Sequence, residues 1–268
     1  MVEEKEILVV DDEQVILDAI NRIASAEGIN VDTETNGKAA LKKVSQKSYS
    51  LLLCDILMPE MDGFMILDEL HKMKKQIPII MITGFSTVEN AVKSISKGAI
   101  DFVSKPFTFE ELESAISRGL AYNKLLIKLE GIKSKKNNSD IGFVPCPPKY
   151  HRLGNHSWVN QESEGIIILG ATNLYLEIIK DLKSINMIES DQRLIQGESC
   201  AEFITKDDLA HHFLSPVSGR IFERNEKLLT EINLLQKDPY FGGWIYKVIP
   251  EDIEYDMKYL TPCASDRM

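Results

Sequence analysis

Four apolar runs in the first half of the chain each end in a polar side chain of a different kind. Ile7-Leu8-Val9-Val10 stops at Asp11-Asp12, and Leu51-Leu52-Leu53-Cys54 stops at Asp55. Ile79-Ile80-Met81-Ile82 stops at Thr83, and Phe102-Val103-Ser104 stops at Lys105-Pro106. Such runs read as buried parallel strands. Open α/β sheets collect their chemistry at the carboxyl ends of strands. Three carboxylates, one hydroxyl and one ammonium on a single rim suggest magnesium-assisted phosphoryl transfer, because that ion prefers oxygen ligands and keeps some of its waters. Each residue alone has a simpler reading. Asp11-Asp12 suits a helix N-cap, Thr83 a turn, Lys105 a solvated surface and Phe102 a core position. The joint placement of all of them at strand ends is what favours a site.

Alternating signals supply the elements that must position these groups. After the first run, Ile16, Leu17, Ile20, Ile23 and Ala24 fall on one face of a helix. Val31 marks a second strand, and Gly37 opens a helix through Ala40, Leu41 and Val44. Residues 62–75 carry Phe64, Leu67, Leu70 and Met73 at helical spacing, Pro78 leads the fourth strand, and Thr87 precedes a helix that stops at Gly98. A fifth strand over 100–104 and a helix from about Phe107 complete five β–α repeats, the pattern of a parallel sheet with right-handed crossovers. Leu125, Leu126 and Leu129 extend the last helix, and their spacing fits either a short dimer stripe or plain packing.

Composition bounds the rest. The 268 residues suit two domains of ordinary size. No apolar stretch approaches the ~20 residues that span a membrane. The start, Met1-Val2-Glu3-Glu4-Lys5-Glu6, lacks the basic and apolar segments of a secretory signal. Cys54, Cys146, Cys200 and Cys263 are far apart, which argues against a zinc site or a disulfide framework and for reduced thiols in the cytoplasm. The net charge of -10 divides into -6 for residues 1–125, +2 for 126–140 and -6 for 141–268. Neither large stretch has the basic balance of a nucleic-acid-binding module. Lys133, Lys135 and Lys136 form a small basic cluster in a linker, which reads as solvated.

Residues 3–125 resemble the receiver domain of bacterial response regulators. The resemblance rests on Asp11-Asp12-Glu13, Asp55-Ile56-Leu57-Met58-Pro59, Met61-Asp62-Gly63, Thr83-Gly84, Gly98-Ala99 and Lys105-Pro106-Phe107, in that order. It implies a flavodoxin-like (βα)5 fold in which Asp55 accepts a phosphoryl group from a phosphohistidine of a sensor histidine kinase. An aspartate carboxylate suits that role, and phosphoryl transfer needs charge neutralisation more than covalent help. The resemblance further implies Mg2+ held by Asp12 and Asp55 with Asp11 nearby and the carbonyl of Leu57. Lys105 would hold a phosphate oxygen as a point charge, and Thr83 would turn its hydroxyl toward the phosphoryl group. Phe102 would be the aromatic switch on the fifth strand, working by packing alone because it lacks a hydroxyl.

The remainder reads as β-rich with few helices. Ile166–Leu169, Ala201–Ile204, Arg220–Phe222 and Trp244–Val248 are strand-like, Thr172 could cap a helix, and glycines punctuate the runs. No helix-turn-helix pattern or phosphate-binding Gly-Lys loop is visible. Residues 151–260 resemble the glycine cleavage system H protein, a lipoyl carrier. The resemblance is carried by His156-Ser157-Trp158, Gly165 through Thr172, Ser215-Pro216-Val217-Ser218-Gly219, Asn225, Asp238-Pro239-Tyr240 and Gly242-Gly243-Trp244. It implies a barrel-sandwich hybrid whose hairpin tip displays a lipoyl-lysine. The chain departs from the family there: counting back from Pro216 reaches Asp208, and the nearest lysine is Lys206. Lipoate on Lys206 therefore competes with a plain exposed turn lysine. His211-His212 do not suit one metal, because neighbours on a strand face opposite ways.

The expected organisation is a receiver over 3–125, a helical extension and linker over 126–149, and an H-protein-like domain over 150–268. The expected function is a phosphorelay response regulator, not an enzyme, that switches an output domain used for binding an unidentified downstream protein. A lipoyl carrier whose traffic the receiver regulates is the alternative. Partners include neither nucleic acid nor membrane, and a homodimer through the receiver stays open.

Overall fold

The structure, a computed structural model, describes residues 6–84, 87–134 and 144–264. The chain divides into two compact units, one of residues 1–87 with 97–130 and the other of 88–96 with 131–268. In chain order the first half runs β1 (Glu6–Val10), α1 (Gln14–Ala26), β2 (Asn30–Glu34), α2 (Gly37–Gln46), β3 (Leu51–Asp55), α3 (Gly63–Lys72), β4 (Ile79–Thr83), α4 (Val88–Ser96), β5 (Asp101–Ser104) and α5 (Phe109–Ser134).

The five strands are parallel in the order β2-β1-β3-β4-β5, which is the flavodoxin-like arrangement expected. β3 and β4 are buried along their whole length, which is why they read as unbroken apolar runs. Successive residues feed opposite faces. Leu8, Val10, Leu52, Cys54 and Met81 meet Ala40, Val44, Leu67 and Leu70 on one side. Ile7, Val9, Leu51, Leu53, Ile80 and Ile82 meet Leu17, Ile20, Leu112 and Ile116 on the other. Asn36 caps α2 by accepting the N–H groups of Lys38 and Ala39, and Asp62 caps α3 by accepting that of Met65. The α1 N-cap is Glu13, with no side-chain bond, so the Asp11-Asp12 pair is not a helix cap. α3 is shorter than the 62–75 expected and closes at Met73. α5 extends past Leu129 to Ser134, with Leu125, Leu126 and Leu129 half-buried. Lys135, Lys136 and the rest of 135–143 lie outside the described residues.

Residues 144–264 are β-rich, as expected: β6 (His151–Leu153), β7 (Ser157–Gln161), β8 (Ile167–Ala171), β9 (Leu182–Met187), β10 (Arg193–Leu194), β11 (Ser199–Thr205), β12 (Ala210–Leu214), β13 (Gly219–Arg224), β14 (Trp244–Pro250) and β15 (Thr261–Pro262). Three short helices, α6 (Asn173–Ile179), α7 (Leu234–Lys237) and α8 (Ile253–Asp256), interrupt them. Thr172 caps α6 through the N–H of Tyr175, as its position suggests. The strands form a seven-stranded sheet, β10-β13-β14-β8-β7-β6-β15, and a three-stranded sheet, β12-β11-β9. Tyr175, Phe203, Phe213 and Tyr246 are the largest side chains in the core they share.

Candidate functional site

Register brings the strand ends together. Val10 lies opposite Cys54 and Asp55 opposite Ile82, so Asp11, Asp55 and Thr83 emerge side by side from β1, β3 and β4. The Lys105 N–H donates to the Thr83 carbonyl at 2.8 Å, which pins the residue after β5 to the same rim. Asp11, Asp55 and Thr83 are buried, and Asp12 is exposed.

The ammonium of Lys105 sits among carboxylates, 2.7 Å from Asp11 Oδ2, 3.3 Å from Glu13 Oε1 and 3.5 Å from Asp55 Oδ2. Burial raises the Asp55 carboxyl to about 6, with Lys105 opposing and Asp11 adding to the rise. Asp11 is also raised by burial, against the Lys105 ammonium paired with it and the Glu13 N–H that donates to Oδ1 at 3.0 Å. For Lys105, burial works to lower the pKa, but the carboxylates of Asp11 and Asp55 beside it outweigh it and the net direction is up. Two acids that resist ionising beside one shared ammonium form a site short of positive charge.

The donor set fits a divalent ion. Asp11, Asp12 and Asp55 each offer a carboxylate oxygen, and these oxygens lie within 4.8 Å of one another. Asp55 Oδ1 is buried with no hydrogen-bond partner among the described residues. Hard oxygen ligands with one exposed member, leaving room for water, match magnesium. The Leu57 backbone opposes the rise at Asp55, which brings the β3–α3 loop to the same place. Phe102 lies on β5, half-buried, opposite Met81 and against the core on that face of the sheet. Glu13 stood beside the acidic pair in the sequence, but its contact with Lys105 depends on the β5 end and was not legible from spacing.

In the second unit, Lys206 occupies the turn between β11 and β12, with its side chain 71% exposed. Its Nζ is 3.7 Å from Asp181 Oδ1, and its N–H donates to the Asp181 carbonyl at 2.9 Å. Asp208 shares the turn in a left-handed conformation, φ 62°, and pairs with Lys183 at 2.5 Å. Sequence reasoning placed Lys206 and Asp208 near a tip but missed Asp181, which comes from the segment before β9. His211 is buried and His212 exposed, so the two diverge as expected.

Most of the other residues singled out in this half build the scaffold. The Trp158 Nε1–H donates to the Ala171 and Pro239 carbonyls, and the Asn225 side chain donates to those of Gly242 and Trp244. Gly170 is small because the Trp158 ring lies against it; a Cβ there would fall 2.7 Å from the ring. The Ser-Pro-Val-Ser-Gly turn is held from a distance. The Ser218 N–H donates to Asp256 Oδ2 at 2.6 Å, and the Gln196 amide donates to the Pro216 and Asp256 carbonyls.

Comparison with known proteins agrees with these two descriptions. Residues 7–117 match the response regulator receiver domain, and residues 150–265 match the glycine cleavage H-protein. Among curated relatives, the transcriptional regulatory protein ZraR of Klebsiella oxytoca is 32% identical over 62% of this chain and 37% of its own. The response regulator protein TmoT of Ectopseudomonas mendocina is 38% identical over 44% of this chain and 54% of its own. The chain thus spans about half or less of the length of these relatives. A CheY-like receiver domain from Methanospirillum hungatei covers 45% of this chain and 96% of its own at 33% identity, with a TM-score of 0.42. A glycine cleavage system H protein from Mycobacterium marinum covers 40% of this chain and 87% of its own at 26% identity, with a TM-score of 0.37. By the family models, residues 7–117 are a response regulator receiver domain and residues 150–265 a glycine cleavage H-protein-like domain.

Proposed function

We propose that the chain is the phosphoryl-accepting response regulator of a two-component phosphorelay in the cytoplasm, with a receiver over 3–125, an extension over 126–149 and an output domain over 150–268. The observation that carries this reading is the convergence of Asp11, Asp12 and Asp55 around one ion-sized volume with Lys105 at its wall. Asp55 is the acceptor, and a sensor histidine kinase supplies the group. Asp11, Asp12, Asp55 and the Leu57 carbonyl would hold magnesium, which when bound neutralises the charge that gathers during transfer. Lys105 gives up a carboxylate to meet a phosphate oxygen, Thr83 turns its hydroxyl toward the phosphoryl group, and Phe102 follows into the space vacated. The H-protein-like domain serves as an interaction module for a downstream protein, and the chain turns over nothing beyond slow loss of its own phosphoryl group. A homodimer through α5 uses the Leu125, Leu126 and Leu129 stripe, and sedimentation of the full chain tests it.

Incubation with acetyl phosphate and magnesium, followed by intact mass measurement, tests the central point. Wild type gains one phosphoryl group and Asp55→Ala gains none. An unmodified wild type, or a modified Asp55→Ala, defeats the reading. A second reading is a lipoyl carrier whose traffic the receiver regulates, favoured by the exposed placement of Lys206 on a hairpin turn. Protein made in a lipoate-supplied host would then carry the lipoyl mass on Lys206, and an unmodified Lys206 removes this alternative.

A further inference from the structure

Cys146, just before the H-protein-like domain, and Cys263, near its end, share one buried cluster with Tyr150, Trp158 and Tyr240. Their exposures are 6% and 1%. Strand register places the second. β15 ends at Pro262, opposite His151, and Cys263 just past it is tied to Tyr150 by its N–H, which donates to the Tyr150 carbonyl at 2.9 Å. The first cysteine arrives by a turn: the Tyr150 N–H donates to the Pro147 carbonyl at 2.9 Å, and such a turn keeps its ends within about 7 Å. Cys146 immediately precedes it. Ladder and turn thus deliver both thiols beside Tyr150. Cys54 and Cys200 differ: each is the sole cysteine of its own core cluster.

We propose that Cys146 and Cys263 are a peroxide-oxidisable pair that closes to a disulfide once local opening brings their Cα atoms to the roughly 4.4–6.8 Å that the bond spans. Access comes from the edge. β15 is two residues long and is the outermost strand of its sheet, so opening this corner breaks only a short ladder. One thiolate attacks a peroxide oxygen, becoming a sulfenic acid as the O–O bond breaks and hydroxide leaves to be protonated. The second thiolate then displaces the sulfenic oxygen, which leaves as water. The two sulfurs lose two electrons to the peroxide, and two waters result. The bond reinforces a clamp already present, in which the Val144 N–H donates to Asn173 Oδ1 and its carbonyl accepts the Tyr240 hydroxyl. Oxidation would therefore fix covalently the point where the chain enters this domain.

The test uses the full reduced chain, treated with hydrogen peroxide, alkylated in denaturant and digested. A peptide joining Cys146 to Cys263, an intact mass lower by two hydrogens, reversal by dithiothreitol, and alkylated Cys54 and Cys200 support the proposal. Cys146→Ser and Cys263→Ser each remove the joined peptide. Four alkylated cysteines after oxidation overturn it, as does a sulfinic acid at either position without the joined peptide, or a link from either to Cys54 or Cys200. The wild-type digest decides the matter by itself should a serine variant fold poorly.

Discussion

At the scale of single residues, the telling fact is that, among the described residues, Lys105 is the one cation amid four carboxylates contributed by Asp11, Asp12, Glu13 and Asp55. Removing one partner of a buried ionic group leaves the other uncompensated, at roughly 3 kcal/mol. Lys105→Ala should therefore melt earlier than wild type without divalent ions, and magnesium should restore much of the loss. It should also take a phosphoryl group from acetyl phosphate more than tenfold slower. Thermal scans with and without the ion and timed mass spectra check both outcomes. Asp256 offers a separate test. Burial lifts its carboxyl from 3.8 to about 6, with hydrogen bonds from Ser218 opposing and the charges of Asp252 and Glu251 adding. The folded state holds that proton more tightly than the unfolded chain. The associated stability is full below about 4 and is lost as pH rises through about 6. Asp256→Asn keeps an acceptor for Ser218 but does not titrate. Urea unfolding should show wild type losing about 1–3 kcal/mol relative to the variant between pH 4 and pH 7. Asp55 was legible because a polar residue closing an apolar run has few other uses. Asp256 and Asp181 were not, since each meets its partner only through tertiary structure.

Elements decide how firmly those groups are placed. Gly63 starts α3 against the end of β3, and a Cβ there would sit 2.5 Å from the Asp55 carbonyl oxygen and 3.1 Å from Ile56 Cα. Backbone cannot yield as a side chain does. Gly63→Ala should cost about 1–3 kcal/mol and weaken magnesium binding in calorimetry, whereas Asn36→Ala should cost about 1 kcal/mol through a lost cap and leave the ion's affinity alone. In the second unit Phe203 is fully buried between Tyr175 and Phe213. Phe203→Ala should destabilise that domain by about 3–5 kcal/mol, measured by denaturant unfolding. The first-half elements could be read because β3 and β4 are buried on both faces, which forces a continuous apolar run. Several second-half strands gave no such sign. β9 alternates irregularly, while β10 and β15 are two residues long and owe their existence to their neighbours.

For the molecule as a whole, charge sets what it can meet. Residues 1–125 and 141–268 each carry -6, so both halves repel a polyanion. A gel shift with the full chain should show no retarded duplex DNA even at low salt, although curated relatives such as ZraR are named as transcriptional regulators. The strand order has a further consequence for synthesis. β1, the earliest strand in the chain, lies between β2 and β3 in the finished sheet. It cannot be flanked on both sides until the segment ending at Asp55 has left the ribosome, and β4 and β5 must join from β3 outward. Parallel pairing of this kind closes long loops before it gains contacts. The Asp55 carboxylate therefore arrives with the strand that completes the centre of the sheet, and the nascent chain cannot gather Asp11, Asp55 and Thr83 on one rim until much of its first half has been translated.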